Sequence, residues 1–279
     1  MVTLYAWTTP AFWSESPVDH TWVTTYDSRV TGYKNIGDVE NAQQINWYCW
    51  GDFHVVGDPV DPIVDQPGNG ALAQCLVLGN KESKQYPAAR GTIFTYGVDG
   101  VCHQLANQVL YATGSPGQPP ATVKAARGYG LSSFLYGTYG LQHAAWLAKL
   151  QGCLAQATPV SGLPMKLGET RLGEPPMPEL RDDFADRARA VLGDDAERLD
   201  ALLSLRSSAQ TYLAAPVPGF TAPTAELLNA RNQHLLDQAA LLLEPAQFQQ
   251  LFGVEPGERV DLIDPTMAGA PRSGGVPTP

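Results

Sequence analysis

Along the first 155 residues the apolar side chains come in short runs broken by Asp, Gly, Asn or Pro, whereas beyond residue 178 they recur three and four apart. The short bounded runs predict strands over residues 21–26, 42–53, 73–78 and 92–96. Two helices interleave with them. One starts at Cys102, with Leu105, Ala106, Val109 and Leu110 at helical spacing; the other covers 141–155, where Ala144, Leu147, Ala148 and Leu150 form a stripe. Between them YGLSSFLYGTYG, residues 129–140, alternates aromatics with glycine and reads as a strand or a binding loop. Strands with a few helices make the region α+β.

The second half is helical throughout. Pro178 stands at a start position, and Leu180, Phe184, Ala188 and Val191 mark a helix ending at Gly193. Residues 196–213 and 224–243 form two longer helices, the last with a broad apolar face, and a short one covers 245–252. Composition places the join between the halves. Residues 1–155 carry 8 Lys/Arg against 11 Asp/Glu, and residues 156–279 carry 10 against 17 with far fewer aromatics. The Pro/Gly-rich SGLPMKLGETRLGEPPMP then reads as a linker. The expected organisation is a domain over 1–155, a linker over 156–178, a helical domain over 179–253, and a stub with a loose tail over 254–279.

At 279 residues and 44% hydrophobic content the chain can bury a substantial core. Its net charge of −10 argues against a nucleic-acid binder and against adhesion to anionic lipid. No apolar run is long enough to span a membrane, and MVTLYAWTTP lacks the basic flank and apolar core of a secretory signal. The cell address stays open, with a reducing compartment as the default for four widely spaced cysteines, Cys49, Cys75, Cys102 and Cys153.

Cys102 is the residue with chemistry around it. A turn containing Gly97 and Gly100 delivers it to the first turn of a helix, where unpaired backbone N–H groups and the helix dipole favour an anion and hence a thiolate. A small buried hydrophobe is the alternative role for such a cysteine. Asn107, five positions on, lies about 140° round the helix and so supports the turn rather than the sulfur.

The segment from Tyr96 through Gly97, Gly100 and Cys102 to Tyr111 and Gly114 resembles the nucleophile segment of NlpC-type, papain-like cysteine hydrolases, except that His103 and Gln104 stand where the family has small residues. The resemblance implies a small antiparallel sheet packed on the cysteine-bearing helix, here with a C-terminal all-helical appendage, and amidase, peptidase or thiol acyltransferase chemistry without a cofactor. Peptidoglycan peptides, protein tails and lipid esters are the substrate classes it implies. Circularly permuted relatives, similar to the lecithin retinol acyltransferase group, place a histidine strand before the cysteine, and His20 followed by Cys102 matches that order. In that pattern the next strand carries a third polar group, for which Asn46 is the residue chosen here.

A base must lie within hydrogen-bond reach of the sulfur. His103 is adjacent on the helix and diverges by about 100°, and His234 belongs to the helical half. His20, His54 and His143 remain, with His20 on a strand from which its ring faces the helix terminus. The Cys102 backbone N–H and the Tyr96 hydroxyl would serve as oxyanion donors. Trp22, Trp47, Trp50, Tyr136 and Tyr139 suit an apolar or sugar-bearing small molecule or peptide.

Other chemistries have weaker signals. Asp19 with His20 and Asp52 with His54 pair ligand types, but no metal motif is present, so no metal is expected. GDPVDPIVDQPGNG reads as turns. Ser132 and Ser133 lack a nucleophile-elbow pattern. The competing class is a non-enzymatic binding or interaction module in which Cys102 is buried and the helical region docks a partner or a second copy.

Overall fold

The computed structural model describes residues 2–11, 18–24, 27, 61–69, 96–141, 143–145, 147, 170–171, 182–214 and 223–265. The fold is α+β: a three-stranded antiparallel sheet in the order β2-β1-β3, built from β1 (Val2–Pro10), β2 (Asp19–Thr24) and β3 (Val64–Gly68), with helices packed around it. β1 pairs through Tyr5↔Thr24, Trp7↔Trp22 and Thr9↔His20 on one side and through Leu4↔Gln66 on the other.

Side chains alternate across a strand, so this register sorts the sheet into two faces. Leu4, Ala6, Thr21, Val23 and Gln66 share the face that meets α1 (Cys102–Thr113), where Gln66 Nε2 donates to the Leu110 carbonyl at 2.8 Å. Trp7, His20, Trp22 and Thr24 share the opposite face, where the Trp7 indole donates to the Thr24 hydroxyl at 2.8 Å. Both faces are buried.

β1 and β3 are strands beyond those expected from the sequence. In MVTLYAWTTP, Leu4 and Ala6 alternate with Tyr5 and Trp7 as a strand requires, and β3 falls inside a Pro/Asp-rich stretch whose composition suggests turns. Pro67 is tolerated because β3 stands at the edge of the sheet among the described residues. The strands expected over 42–53 and 73–78 lie outside the described residues. So does that over 92–96 apart from Tyr96, which bridges Gly100.

Residues 129–136 are a correction. They form helix α2 (Tyr129–Tyr136), not a strand or loop, because Gly128 and Gly137 adopt left-handed φ values of 78° and 73° and bracket a segment whose Leu131, Phe134 and Leu135 share one buried face. The later helices follow their capping signals. α3 (Asp183–Leu192) starts where the Asp182 carboxylate accepts from the Ala185 N–H. α4 (Ala196–Ala214) follows the two-residue break after Gly193. α5 (Ala225–Ala240) is capped by the Thr224 hydroxyl, and α6 (Pro245–Phe252) carries Pro at its first turn and a capping box between Glu244 and Gln247.

These helices were expected as an appendage; they are instead part of one core. Phe134 of α2 packs on Phe184 of α3 at 5.1 Å between ring centroids and edge-on against Phe252 of α6 at 5.5 Å. Arg206 of α4 lies over the Phe184 ring at 5.3 Å, donates to the Phe134 carbonyl and pairs with Asp182. Thr170 and Arg171, from the stretch expected as a linker, are also buried. Arg171 is buried with its guanidinium over the Tyr111 ring at 5.6 Å, and it donates to the Tyr111 carbonyl at 3.3 Å, satisfying the C-terminal end of α1 and complementing its dipole. No helix among the described residues is long and apolar enough to cross a membrane.

α2 and α6 meet backbone to backbone at Gly130, where an added Cβ would sit 2.1 Å from the Leu251 carbonyl oxygen. Gly130→Ala is therefore expected to force the two helices apart and to cost about 3 kcal/mol. Chemical denaturation would measure this, and a loss below about 0.5 kcal/mol, the size of an ordinary surface change, would show that the contact is slack.

Candidate functional site

The turn that presents Cys102 is closed by Gly97 N–H donating to the Gly100 carbonyl at 2.8 Å, and the Leu141 N–H donates to the Asp99 carbonyl at 2.9 Å. Val101 is the extended N-cap and Cys102 the first residue of α1, as the spacing predicts. The helix terminus then delivers the sulfur against the sheet rather than to solvent. Cys102 is 3% exposed, and its Sγ lies 3.9 Å from the Asp19 carbonyl oxygen of β2.

Two effects compete on this thiol. The helix terminus favours the thiolate, and the N–H groups of Cys102 and His103 with the amide and hydroxyl of Thr21 pull the same way; burial opposes all of them and wins, pushing the thiol up to about 11. At neutral pH roughly one molecule in ten thousand would carry the thiolate.

The remaining expected site residues separate. His20 is buried on the far face of the sheet, its ring stacked on Trp22 at 6.0 Å, because the period of two that turns Thr21 toward α1 turns His20 away. The structure thus brings Thr21, not His20, to the sulfur. His143 packs against Tyr139 at 4.7 Å and edge-on against Tyr111 at 5.2 Å. Tyr111 is nine residues along α1 from Cys102, about 13 Å by helix rise, so His143 belongs to the other end of the helix. Asn46 and His54 lie outside the described residues. Of the described candidates it is Tyr96 that neighbours Cys102: it is buried, its hydroxyl accepts the Asp264 N–H at 3.2 Å, and burial first, then the neighbouring Cys102, raises its pKa well above the usual tyrosine value.

The residues that do most at this end of α1 are ones the sequence reading passed over. His103 is fully buried between β2 and α2, with Nε2 3.0 Å from the Asp19 carbonyl and Nδ1 2.8 Å from the Ser132 hydroxyl. A carbonyl only accepts, so the ring carries its proton on Nε2 and takes the Ser132 hydroxyl proton at Nδ1. Burial lowers its pKa to about 4, leaving it neutral.

Gln104 receives the Val101 N–H and donates to the Gly137 carbonyl, and Gln108 donates to the Tyr139 carbonyl. Asn107 receives the Val123 N–H at 2.8 Å and donates to the Tyr129 hydroxyl at 2.9 Å and the Thr138 carbonyl at 2.8 Å. Tyr129 in turn donates to Asp183 at 2.8 Å. Asn107 therefore fixes the segments after the helix, not the turn before it. The signal was present in the sequence, since polar residues at 103, 104, 107 and 108 line one helical stripe.

A concavity of about 410 Å³ opens between residues 137–141 and α4, lined by Thr138, Tyr139, His143, Asp182, Arg206 and Gln210 among others. The Arg206 charge there is met by Asp182 and the Phe134 carbonyl. No group of three or more His, Cys, Asp or Glu among the described residues is placed to hold a metal ion; Asp19 is engaged instead with Arg127, accepting from its Nε at 2.8 Å and its N–H at 2.9 Å. No family model matches the chain, and no curated protein or solved structure matches it.

Proposed function

We propose that, in the conformation described, the chain is a non-enzymatic interaction module in which Cys102 is a packing residue. The observation that carries this reading is the thiol itself, 3% exposed, shifted up to about 11, and faced by a carbonyl and a threonine where a base would have to stand. The polar side chains around it support the same reading, because His103, Gln104 and Asn107 are engaged in bonds that join α1 to β2, α2 and the loop after it.

The second reading is a cysteine hydrolase, an amidase, peptidase or thiol acyltransferase. It is favoured by the position of Cys102 at the first residue of α1 with Tyr96 beside it, and its base would be His54, from outside the described residues.

Site-resolved iodoacetamide alkylation across pH, read by mass spectrometry, separates the two. Under the first reading Cys102 labels far more slowly than a free thiol such as glutathione at every pH below about 10. Selective labelling of Cys102 near pH ~6, lost in His54→Ala, would carry the hydrolase instead.

A further inference from the structure

The burial of Cys102 leads to the question of what holds its turn shut, and part of the answer comes from the far end of the chain. After α6 the backbone passes through Gly253 and Gly257, both left-handed and with open space around them, into an exposed stretch. Residues 258–264 then run back along α5. Two amide side chains one helical turn apart grip this segment by its backbone. Asn229 Nδ2 donates to the Ile263 carbonyl at 3.1 Å while its Oδ1 accepts the Ile263 N–H at 2.9 Å; Gln233 Oε1 accepts the Val260 N–H at 3.0 Å while its Nε2 donates to the Glu258 carbonyl at 3.2 Å.

So held, the segment reaches the cysteine turn. The Asp264 N–H donates to the Tyr96 hydroxyl, and an added Cβ on Gly97 would lie 3.0 Å from the Ile263 side chain and 2.9 Å from Leu228 of α5. The Gly97 carbonyl is tied from the same side, accepting from the Tyr136 hydroxyl at 2.7 Å, which itself accepts from Arg231 of α5 at 3.1 Å.

We infer that residues 258–264 are a strap that latches the turn 96–100, so that its release from Asn229 and Gln233 opens access to Cys102 while the remainder of the fold stays intact. The glycines before it supply the hinge, and the grip by Asn229 and Gln233 is on backbone atoms. Val260, Leu262 and Ile263 are buried, so the strap stays docked until a partner or a cut removes it. The inference concerns access to Cys102 and goes beyond the interaction-module reading; it stands whether or not the thiol, once reached, turns over a substrate.

The test uses the full chain with Asn229→Ala and Gln233→Ala together, and Asn229→Asp as a gentler variant that keeps the acceptor for Ile263 but loses the donor. Cys102 alkylation by iodoacetamide and amide hydrogen exchange are read side by side, with Leu202→Ala in the buried face of α4 as a stability-matched control. For Asn229→Asp, which loses one of the four hydrogen bonds, the expected result is an alkylation rate raised about tenfold, and for the double variant, which loses all four, a larger rise, each with faster exchange at residues 97–102 and 260–264 and unchanged exchange in α3 and α4. Faster strap exchange with Cys102 labelling unchanged would overturn the inference. So would labelling that rises equally in Leu202→Ala, since global unfolding rather than a latch would then explain it.

Discussion

Between pH 6.5 and about 4 the chain is expected to lose about 3 kcal/mol of stability for each of two buried histidines, enough together to bring a domain of ordinary stability to the edge of unfolding. His103 and His143 are both 5% exposed or less, and burial lowers the pKa of each from 6.5 to about 4. In the unfolded chain both rings protonate as pH falls through about 6.5, while in the folded chain they remain neutral until about 4. The unfolded state therefore binds more protons throughout this window, and stability falls with falling pH; above the window the contribution is complete. Urea midpoints at half-unit pH steps would measure the slope. His103→Asn, which can still donate to the Asp19 carbonyl, is expected to remove about half of it. A midpoint that stays flat from pH ~7 to ~4.5 would refute the assignment of both rings as neutral and buried.

Asn107→Leu is expected to cost about 4 kcal/mol although it fills a buried site with an apolar side chain of similar size. The Val123 N–H, the Tyr129 hydroxyl and the Thr138 carbonyl all lose the same partner, and each stranded buried group costs about 1–3 kcal/mol. Tyr129 keeps its bond to Asp183, so the loss stays below the sum of three complete penalties. Denaturant unfolding gives the magnitude, and hydrogen exchange at Val123 gives the location. A cost under about 1 kcal/mol would mean that water replaces the amide and that the network is not a structural tie.

What the sequence disclosed follows from where the physics is local. Helix starts and stops are set by caps and glycines within a few residues, so Cys102 as a first helical residue, the break at Gly193, and the starts near Thr224 and Pro245 could all be read from the chain. Residues 129–136 were misread because YGLSSFLY carries its helical face in Leu131, Phe134 and Leu135 while its flanking glycines resemble a loop. β3 could not be recognised alone: a strand containing Pro and Asp exists only because β1 supplies its partners.

At the site, the position of Cys102 was legible and its environment was not. Whether a helix terminus faces solvent or a sheet depends on the register of β2 against β1, and a one-residue difference in that register decides whether His20 or Thr21 meets the sulfur. Nothing local to DHTWVT sets that choice. The role of His103 was hidden for the opposite reason, since adjacency to Cys102 marked it as unable to serve as a base and drew attention away from what else an imidazole can hold.

The cluster of Phe134, Phe184 and Phe252 carries a further meaning for the ancestry of the chain. Its rings come from both sides of the compositional boundary near residue 155, and a gene cut at that boundary would leave each half with an uncovered aromatic face. The two halves, so different in charge and residue content, are therefore not portable units to be shuffled or duplicated separately.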